Sequence, residues 1–203
     1  ADIITAAGAA RVLTMDLHAP QIQGFFSIPV DHLLGAPILS SYFEKAFAKN
    51  KEELVVVSPD LGSVTRARNF AEKIDAQMAI IDKRRQRANV SEVMNIIGSV
   101  EGKKALIVDD MIDTAGTLCN AAEAIIERGG AKEVYACATH GVLSGPAIER
   151  IQNSVIKELV ILDTIPIPEE KKIDKIKMLE VAPVFAEAIA RIYADKPVSP
   201  LFG

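Results

Sequence analysis

The sequence ALIVDDMIDTAGT, residues 105–117, carries the clearest structural signature in this chain of 203 residues. Its first part is a continuous apolar run, which is typical of a strand buried on both faces of a parallel sheet. Two adjacent acids, Asp109 and Asp110, end the predicted strand, and a short turn leads to small and hydroxyl residues that open a helix. A strand, a polar turn and a helix in this order predict one unit of an α/β protein.

The same pattern recurs along the whole chain. Apolar runs rich in valine and isoleucine lie at residues 12–15, 54–57, 78–81, 105–108, 134–138 and 159–162. Apolar residues at helical spacing predict helices within residues 39–46, 67–74, 118–125 and 185–192. This alternation predicts an open, mainly parallel α/β sheet flanked by helices. The Pro- and Lys-rich segment 166–177 is predicted to be a surface connection without a chemical role.

Composition excludes several classes of protein. Hydrophobic residues make up 49% and charged residues 25%, so neither disorder nor a membrane span is expected. The formal charge is -4 and Trp is absent, which argues against a nucleic-acid partner. No secretion signal is recognised at the start of the chain. The two cysteines form no zinc or disulfide pattern, and we expect a cytoplasmic protein with no membrane partner.

The end of the quoted sequence predicts a phosphate-binding loop. Small residues let backbone N–H groups converge on one point, and the N-terminus of a helix favours an anion. The two acids before the loop suit sugar hydroxyls or a magnesium ion held through water. Two other interpretations use the same residues: an ordinary helix with an Asp or Thr cap, and a receiver domain, whose paired acids collect magnesium but which has no use for the loop. The predicted loop consists of Asp113, Thr114, Ala115, Gly116 and Thr117.

Residues 105–117 resemble the phosphoribosyl diphosphate (PRPP) motif of the phosphoribosyltransferase fold. Four further segments resemble class I ribose-phosphate diphosphokinases, the PRPP synthetases. These segments are MDLHAPQIQGFF (15–26), VSPDLGSVTRAR (57–68), IIDKRRQRANVSEVMNIIG (80–98) and THGVLSGPAIERI (139–151). The resemblance covers essentially the whole chain and implies a phosphoribosyltransferase-type sheet.

The resemblance also implies a domain arrangement. The chain is similar to the C-terminal two-thirds of a longer subunit with two related domains. Residues 1–34 then correspond to a remnant of the N-terminal domain, residues 35–180 to the C-terminal domain with the PRPP motif, and residues 181–203 to a terminal helix and tail. We therefore expect the chain alone to be weakly active or inactive.

The reaction implied by the resemblance is a pyrophosphoryl transfer from Mg-ATP to the 1-hydroxyl of ribose 5-phosphate, which gives PRPP and AMP. Such a transfer needs positioned substrates and neutralised phosphate charge. The implied cofactor is Mg²⁺, the implied small-molecule partners are ATP and ribose 5-phosphate, and the implied assembly is a homo-oligomer, a hexamer built from dimers.

The family motifs assign roles to particular residues. Asp109 and Asp110 would hold the ribose 2- and 3-hydroxyls, and the loop of residues 113–117 would hold the 5-phosphate. His18 and Asp60 would bind the magnesium ion. The residues implied for the ATP and pyrophosphate site are His18, Asp60, Leu61, Gly62 and Ser63.

A basic cluster, Lys83 to Arg87, follows the apolar run 78–81. A charge run of this kind is usually a solvated surface. The resemblance implies instead a mobile catalytic loop, in which Lys83 and Arg85 neutralise charge on the transferring phosphoryl oxygens.

Two alternatives to the enzyme remain open. One is a non-catalytic regulatory or assembly relative of the same family, and the other is a phosphoribosyltransferase that consumes PRPP. The presence of His18, Asp60, Lys83 and Arg85 favours the diphosphokinase over the first. A phosphoribosyltransferase would share residues 105–117 but would lack the His18 segment and the basic loop.

Overall fold

The computed structural model describes residues 1–49, 51–84 and 93–202. It divides the chain into two compact units, the first made of residues 1–37 and 180–203 and the second of residues 38–179. The assignment of residues 1–34 to the remnant of another domain stays a prediction. In the described part of the chain, every helix is too short or too polar to span a bilayer.

The elements follow one another in the alternating order that the apolar runs predict. The helices are α1 (Asp2–Ala6), α2 (Ala36–Ala46), α3 (Val64–Lys73), α4 (Gly116–Glu127), α5 (Ala147–Asn153) and α6 (Ala182–Tyr193). The strands are β1 (Val12–Met15), β2 (Val30–Leu33), β3 (Leu54–Ser58), β4 (Gln77–Arg84), β5 (Val93–Ile97), β6 (Lys104–Ile112), β7 (Glu133–Gly141), β8 (Ile156–Leu162) and β9 (Ile176–Leu179).

In the first unit, β1 and β2 form a parallel pair. In the described part of the second unit, seven strands form one sheet in the order β5-β4-β3-β6-β7-β8-β9. All neighbours in this sheet are parallel except β4 and β5, which are antiparallel. The predicted open, mainly parallel α/β sheet is therefore confirmed.

Three strands are absent from the sequence prediction. These are β2, β5 and β9, each only four or five residues long. Strand β9 begins inside segment 166–177, so the last two residues of that segment are strand rather than the predicted surface connection. β9 pairs with β8 alone, at the edge of the sheet, and an edge strand lacks the long apolar run of a central strand.

The central strands are buried on both faces, as their unbroken apolar runs predict. All five residues of β3 are buried, and α4 packs its apolar face on the sheet through Leu118, Ala121, Ala122 and Ile125. Helix α3 buries Ala67, Phe70 and Ala71. The rigid core thus holds the carboxyl ends of the strands and the helix N-termini that follow them.

Strand β6 is longer than the sequence predicts. It does not end at Asp109 and Asp110 but continues through both acids to Ile112, and it pairs with β7 as far as Gly141. Asp110 and Ile112 are only 4% and 3% exposed. Buried backbone needs hydrogen-bond partners, which the ladder to β7 supplies and a solvated turn would not.

The strand order reverses direction between β3 and β6. From β3 the chain passes through α3 to β4 on one side, whereas β6 lies on the other side of β3 and leads through α4 to β7. Open α/β sheets bind ligands at such a reversal, beyond the carboxyl ends of the strands. The turns after β3 and β6 are therefore the expected location of a site.

Candidate active site at the carboxyl edge of the sheet

Arg66 connects the two turns at the reversal of the sheet. It lies in the first turn of α3, and its Nη1 is 3.4 Å from Asp109 Oδ1 while its Nη2 is 3.2 Å from Asp110 Oδ2. The hydroxyl of Ser63 donates to the same Asp109 oxygen over 3.4 Å. A single guanidinium thus holds both adjacent carboxylates, which is the geometry that its planar fork favours.

The carboxyl group of Asp109 has a raised pKa, about 6 against an ordinary 3.8. Burial is the largest cause, and the neighbouring Asp110 carboxyl adds to it. The N–H of Asp110, which donates to Asp109 Oδ1 over 2.9 Å, and the charge of Arg66 act in the opposite direction. Because burial and the neighbouring carboxyl disfavour ionised Asp109 despite these partners, a ligand hydroxyl or a cation that binds Asp109 would stabilise its charged form.

Asp60 organises the turn after β3. The backbone N–H of Ser63 donates to Asp60 Oδ1 over 2.9 Å, and the hydroxyl of Ser58 donates to the Asp60 carbonyl over 2.7 Å. A Cβ at Gly62 would lie 3.3 Å from Asp60 Oδ1, so a larger residue would crowd the carboxylate. Leu61 is exposed at 62%, and the turn therefore opens towards solvent.

The predicted phosphate loop, residues 113–117, spans the turn between β6 and α4 and the first two residues of α4. The N-cap residue of α4 is Ala115, with a left-handed φ of +59°, and no side chain caps this helix end. The interpretation as an ordinary Asp- or Thr-capped helix is therefore wrong. The uncapped N-terminal N–H groups are the kind of donors that an anion takes up.

The contacts and exposure of the loop fit an open cradle. The side chains of Asp113, Thr114 and Thr117 are exposed, Gly116 is half-buried and Ala115 is buried. Asp113 accepts a short hydrogen bond from the hydroxyl of Ser144. The side chains that could meet a ligand are thus accessible, while the backbone beneath them is packed.

The structure brings together some of the residues that the sequence singles out. Asp60 and Ser63 share a turn, Ser63 contacts Asp109, and the phosphate loop follows the same strand as Asp109. His18 is exposed in the first unit, after β1, while Asp60 belongs to the second unit. The predicted magnesium pairing of His18 with Asp60 stays a prediction.

The basic cluster is described only in part. Strand β4 extends beyond the predicted run 78–81 through Lys83 to Arg84, and Lys83 is opposite Met94 in the antiparallel pair with β5. Lys83 therefore belongs to a strand, where the sequence predicts a loop. Arg85 and the remainder of the predicted catalytic loop to Arg87 lie outside the described residues.

Sequence reasoning missed two residues next to the phosphate loop. Ser144 contacts Asp113, and Arg150 Nη1 donates to the Thr114 carbonyl over 2.9 Å. Both lie after β7, in the turn and helix that begin at the same edge of the sheet as the phosphate loop. The sequence signal was the segment 139–151, to which the family resemblance assigned no role.

Comparison with known proteins finds a matching family model and relatives that share one name, ribose-phosphate pyrophosphokinase. The family model described as phosphoribosyl synthetase-associated domain matches residues 84–203. The ribose-phosphate pyrophosphokinase of Caldanaerobacter subterraneus subsp. tengcongensis is 70% identical over 203 residues, which are 100% of this chain and 63% of that protein. The ribose-phosphate pyrophosphokinase of Clostridium acetobutylicum is 68% identical over 202 residues, with 100% and 63% covered. The chain thus spans about 63% of the length of these relatives.

A solved structure agrees with these relatives. The crystal structure of phosphoribosylpyrophosphate synthetase from Mycobacterium smegmatis superposes with a TM-score of 0.87 at 38% sequence identity. The match covers 96% of this chain and 62% of that one. The predicted fold class is confirmed by this likeness.

Proposed function

Because the chain belongs to the phosphoribosyl synthetase-associated domain family, we propose that it contributes the sugar-phosphate site of a ribose-phosphate diphosphokinase. The reaction is transfer of the pyrophosphoryl group of Mg-ATP to the 1-hydroxyl of ribose 5-phosphate, which yields PRPP and AMP. The observation that carries the proposal is the contact of Arg66 with both Asp109 and Asp110, directly before an uncapped helix N-terminus.

Ribose 5-phosphate fits the two parts of this site. Residues 113–117 bind the 5-phosphate through backbone N–H groups and the exposed hydroxyls of Thr114 and Thr117. Asp109 and Asp110 accept hydrogen bonds from the ribose 2- and 3-hydroxyls, since adjacent carboxylates suit an adjacent pair of donors. A sugar hydroxyl on Asp109 also supplies part of the stabilisation that its buried carboxylate lacks.

The turn of residues 60–63 serves the phosphates of ATP in this proposal. It opens at the same reversal of the sheet as the phosphate loop, and α3 begins directly behind it. Arg66, in the first turn of α3, brings a positive charge to that edge. Lys83 and Arg85 are proposed, from the family resemblance alone, to neutralise charge on the transferring phosphoryl oxygens.

Magnesium is compatible with the acids at this edge. Among the residues that the structure describes, no group of three or more His, Cys, Asp or Glu is arranged to hold a metal ion. Mg²⁺ needs no such group, because it commonly binds through one or two carboxylates, several waters and substrate phosphates. Asp60 and Asp109 have the donor chemistry for this, and His18 is proposed from the resemblance to take part. When bound, the ion would offset phosphate charge during the transfer.

The family resemblance also supports a proposal for assembly and location. We propose a homo-oligomer, a hexamer built from dimers, in the cytoplasm. Sedimentation velocity of the purified chain tests self-association, and a strictly monomeric chain at micromolar concentration would contradict it.

Calorimetric titration of ribose 5-phosphate into the chain with magnesium tests the sugar-phosphate site. We expect saturable binding that ribose without phosphate does not show, and loss of binding in the double variant Asp113→Asn, Thr117→Val. Circular dichroism confirms that the variant is folded. Absence of binding to the unaltered, folded chain would refute the proposal.

A second measurement separates the diphosphokinase from the alternatives. With Mg-ATP and ribose 5-phosphate but no nucleobase, the diphosphokinase forms AMP, whereas a PRPP-consuming phosphoribosyltransferase does not. We expect slow AMP formation by the chain, abolished in Asp109→Asn, Asp110→Asn. Binding of ribose 5-phosphate by the chain without AMP formation, and without any AMP beyond that of a full-length relative alone when the two are mixed, would favour the non-catalytic regulatory interpretation.

A further inference from the structure

The segment that follows β7 contacts three successive carbonyl groups at the start of the phosphate loop. The N–H of Leu143 donates to the Ile112 carbonyl over 3.0 Å, and the N–H of Ser144 donates to the Asp113 carbonyl over 3.1 Å. Arg150 Nη1 donates to the Thr114 carbonyl over 2.9 Å. We call residues 143–150 the brace.

These contacts determine where the N–H groups of the loop point. In a planar trans peptide the C=O and the following N–H point in opposite directions. Since the carbonyls of residues 112, 113 and 114 face the brace, the N–H groups of Asp113, Thr114 and Ala115 face away from it. Successive N–H groups on one side form a concave anion site, and the brace thereby prepares this side of the loop.

The brace also stabilises an unfavourable backbone conformation. Ala115 has a φ of +59°, a left-handed conformation that is unfavourable for a residue with a Cβ. The peptide directly before Ala115 is the one whose carbonyl Arg150 holds. Such a conformation persists where the surroundings fix it, and Arg150 is one of the contacts that do so.

Two further observations concern the surroundings of the brace. A Cβ at Gly116 would lie 3.3 Å from Arg150 Nη1, so glycine leaves room for the guanidinium beside the start of α4. Lys171 donates to the Leu143 carbonyl over 2.8 Å and thus contacts the brace. Lys171 belongs to segment 166–177, for which the sequence predicts no chemical role, and its contact with the brace is structural.

We propose that Ser144 and Arg150 are positioning residues for the sugar phosphate, which fix the peptide orientations of the phosphate loop without being part of the reacting groups. This inference rests on the proposed function, because it assigns the loop to the 5-phosphate of ribose 5-phosphate.

The test compares two arginine-to-methionine variants of the chain, Arg150→Met and Arg68→Met. Arg68 is an exposed arginine of α3 and is not part of the brace. In calorimetric titrations with ribose 5-phosphate, we expect Arg150→Met to bind about tenfold more weakly, which corresponds to about 1.4 kcal/mol, and Arg68→Met to bind like the unaltered chain. Ser144→Ala keeps the backbone N–H on the Asp113 carbonyl and removes only the hydroxyl that contacts the Asp113 carboxylate, so its affinity should fall less than that of Arg150→Met.

Two readouts distinguish positioning from a general structural role. Guanidinium ions at millimolar concentration should restore part of the affinity of Arg150→Met, whereas sodium chloride at the same concentration should not. In the unliganded chain, the amide NMR signals of residues 113–115 should shift in Arg150→Met and not in Arg68→Met. If Arg150 only contacted the phosphate directly, its replacement would leave the amide signals of residues 113–115 unchanged in the unliganded chain.

The outcomes separate this inference from the proposed function. If the unaltered chain does not bind ribose 5-phosphate, the proposed function is refuted and the inference with it. If the chain binds but Arg150→Met binds equally well, or if the loop amide signals do not move, only the role of the brace is refuted. If Arg150→Met does not fold, Arg150→Gln takes its place in the same measurements, and equal binding together with unshifted amides then refutes the role.

Discussion

Replacement of Asp109 by asparagine should stabilise the protein at neutral pH. Asparagine keeps the shape of the side chain but removes a charge that is buried beside a second carboxylate. The side chain of Asp109 is 21% exposed, so water offsets only part of the cost. A stabilising substitution of this kind is expected where a residue serves a ligand rather than the fold.

The expected magnitude follows from the raised pKa of Asp109. A pKa of about 6 in the folded protein against 3.8 corresponds to about 3 kcal/mol, at about 1.4 kcal/mol for each pKa unit. Between these two pKa values the folded state binds more protons than the unfolded state, so the free energy of unfolding falls as the pH rises. The cost of the charge is therefore complete above about pH 7 and absent below about pH 4.

Urea denaturation followed by circular dichroism, at several values between about pH 4 and pH 8, measures this effect. The free energy of unfolding of Asp109→Asn minus that of the unaltered chain should be near zero at about pH 4 and rise by up to about 3 kcal/mol by about pH 8. Asp174→Asn, at an exposed position, is the matched control and should show no such rise. A difference that does not change with pH, or that falls as the pH rises, would refute the reasoning.

Three further predictions follow from other contacts. Arg66→Met leaves two carboxylates without their shared guanidinium, so the free energy of unfolding near pH 8 should fall by about 2 kcal/mol. Urea denaturation measures this change, and an unchanged denaturation midpoint would contradict the pairing. Gly129→Ala places a Cβ 2.4 Å from a neighbouring valine methyl, and this overpacking should lower the free energy of unfolding by about 2 kcal/mol. Gly24→Ala is the control, because a Cβ there meets no atom within 4 Å. Equal melting temperatures of the two variants would argue against the clash. Burial raises the pKa of the thiols of Cys119 and Cys137. An aromatic disulfide reagent near pH 8 should therefore label both thiols slowly in the native protein and rapidly in urea. Rapid labelling of either thiol in the native protein would contradict the packing.

Much of the fold could be read from the sequence because its signals are local. Each apolar run in the second unit became a strand of one sheet, and the helices begin behind the predicted turns. Short strands at the edge of the sheet, such as β9, were not predicted, because their stability comes from pairing rather than from their own composition. The turn and helix start at residues 113–117 could be predicted for the same local reason, since the small residues and the helix that follows them are adjacent in the sequence.

The contacts between site residues on different strands and helices could not be predicted from the sequence. The sequence placed Asp109 and Asp110 at the end of a strand, but the ladder to β7 carries the strand past them to Ile112. Whether an acid next to an apolar run stays in a strand depends on its partners in space, here Arg66 from another helix. No spacing rule within residues 105–117 contains that information.

The sequence by itself determined the order of the long strands and the helices, the position of the predicted phosphate loop and the acids beside it, because side-chain pattern and glycine placement act within a few residues. Only the tertiary structure decided that Arg66 pairs with both acids, that the pKa of Asp109 is raised, and that Arg150 holds the carbonyl of Thr114. These features arise between elements far apart in the chain. Burial, charge separation and hydrogen-bond direction depend on distances that exist only after the sheet has assembled.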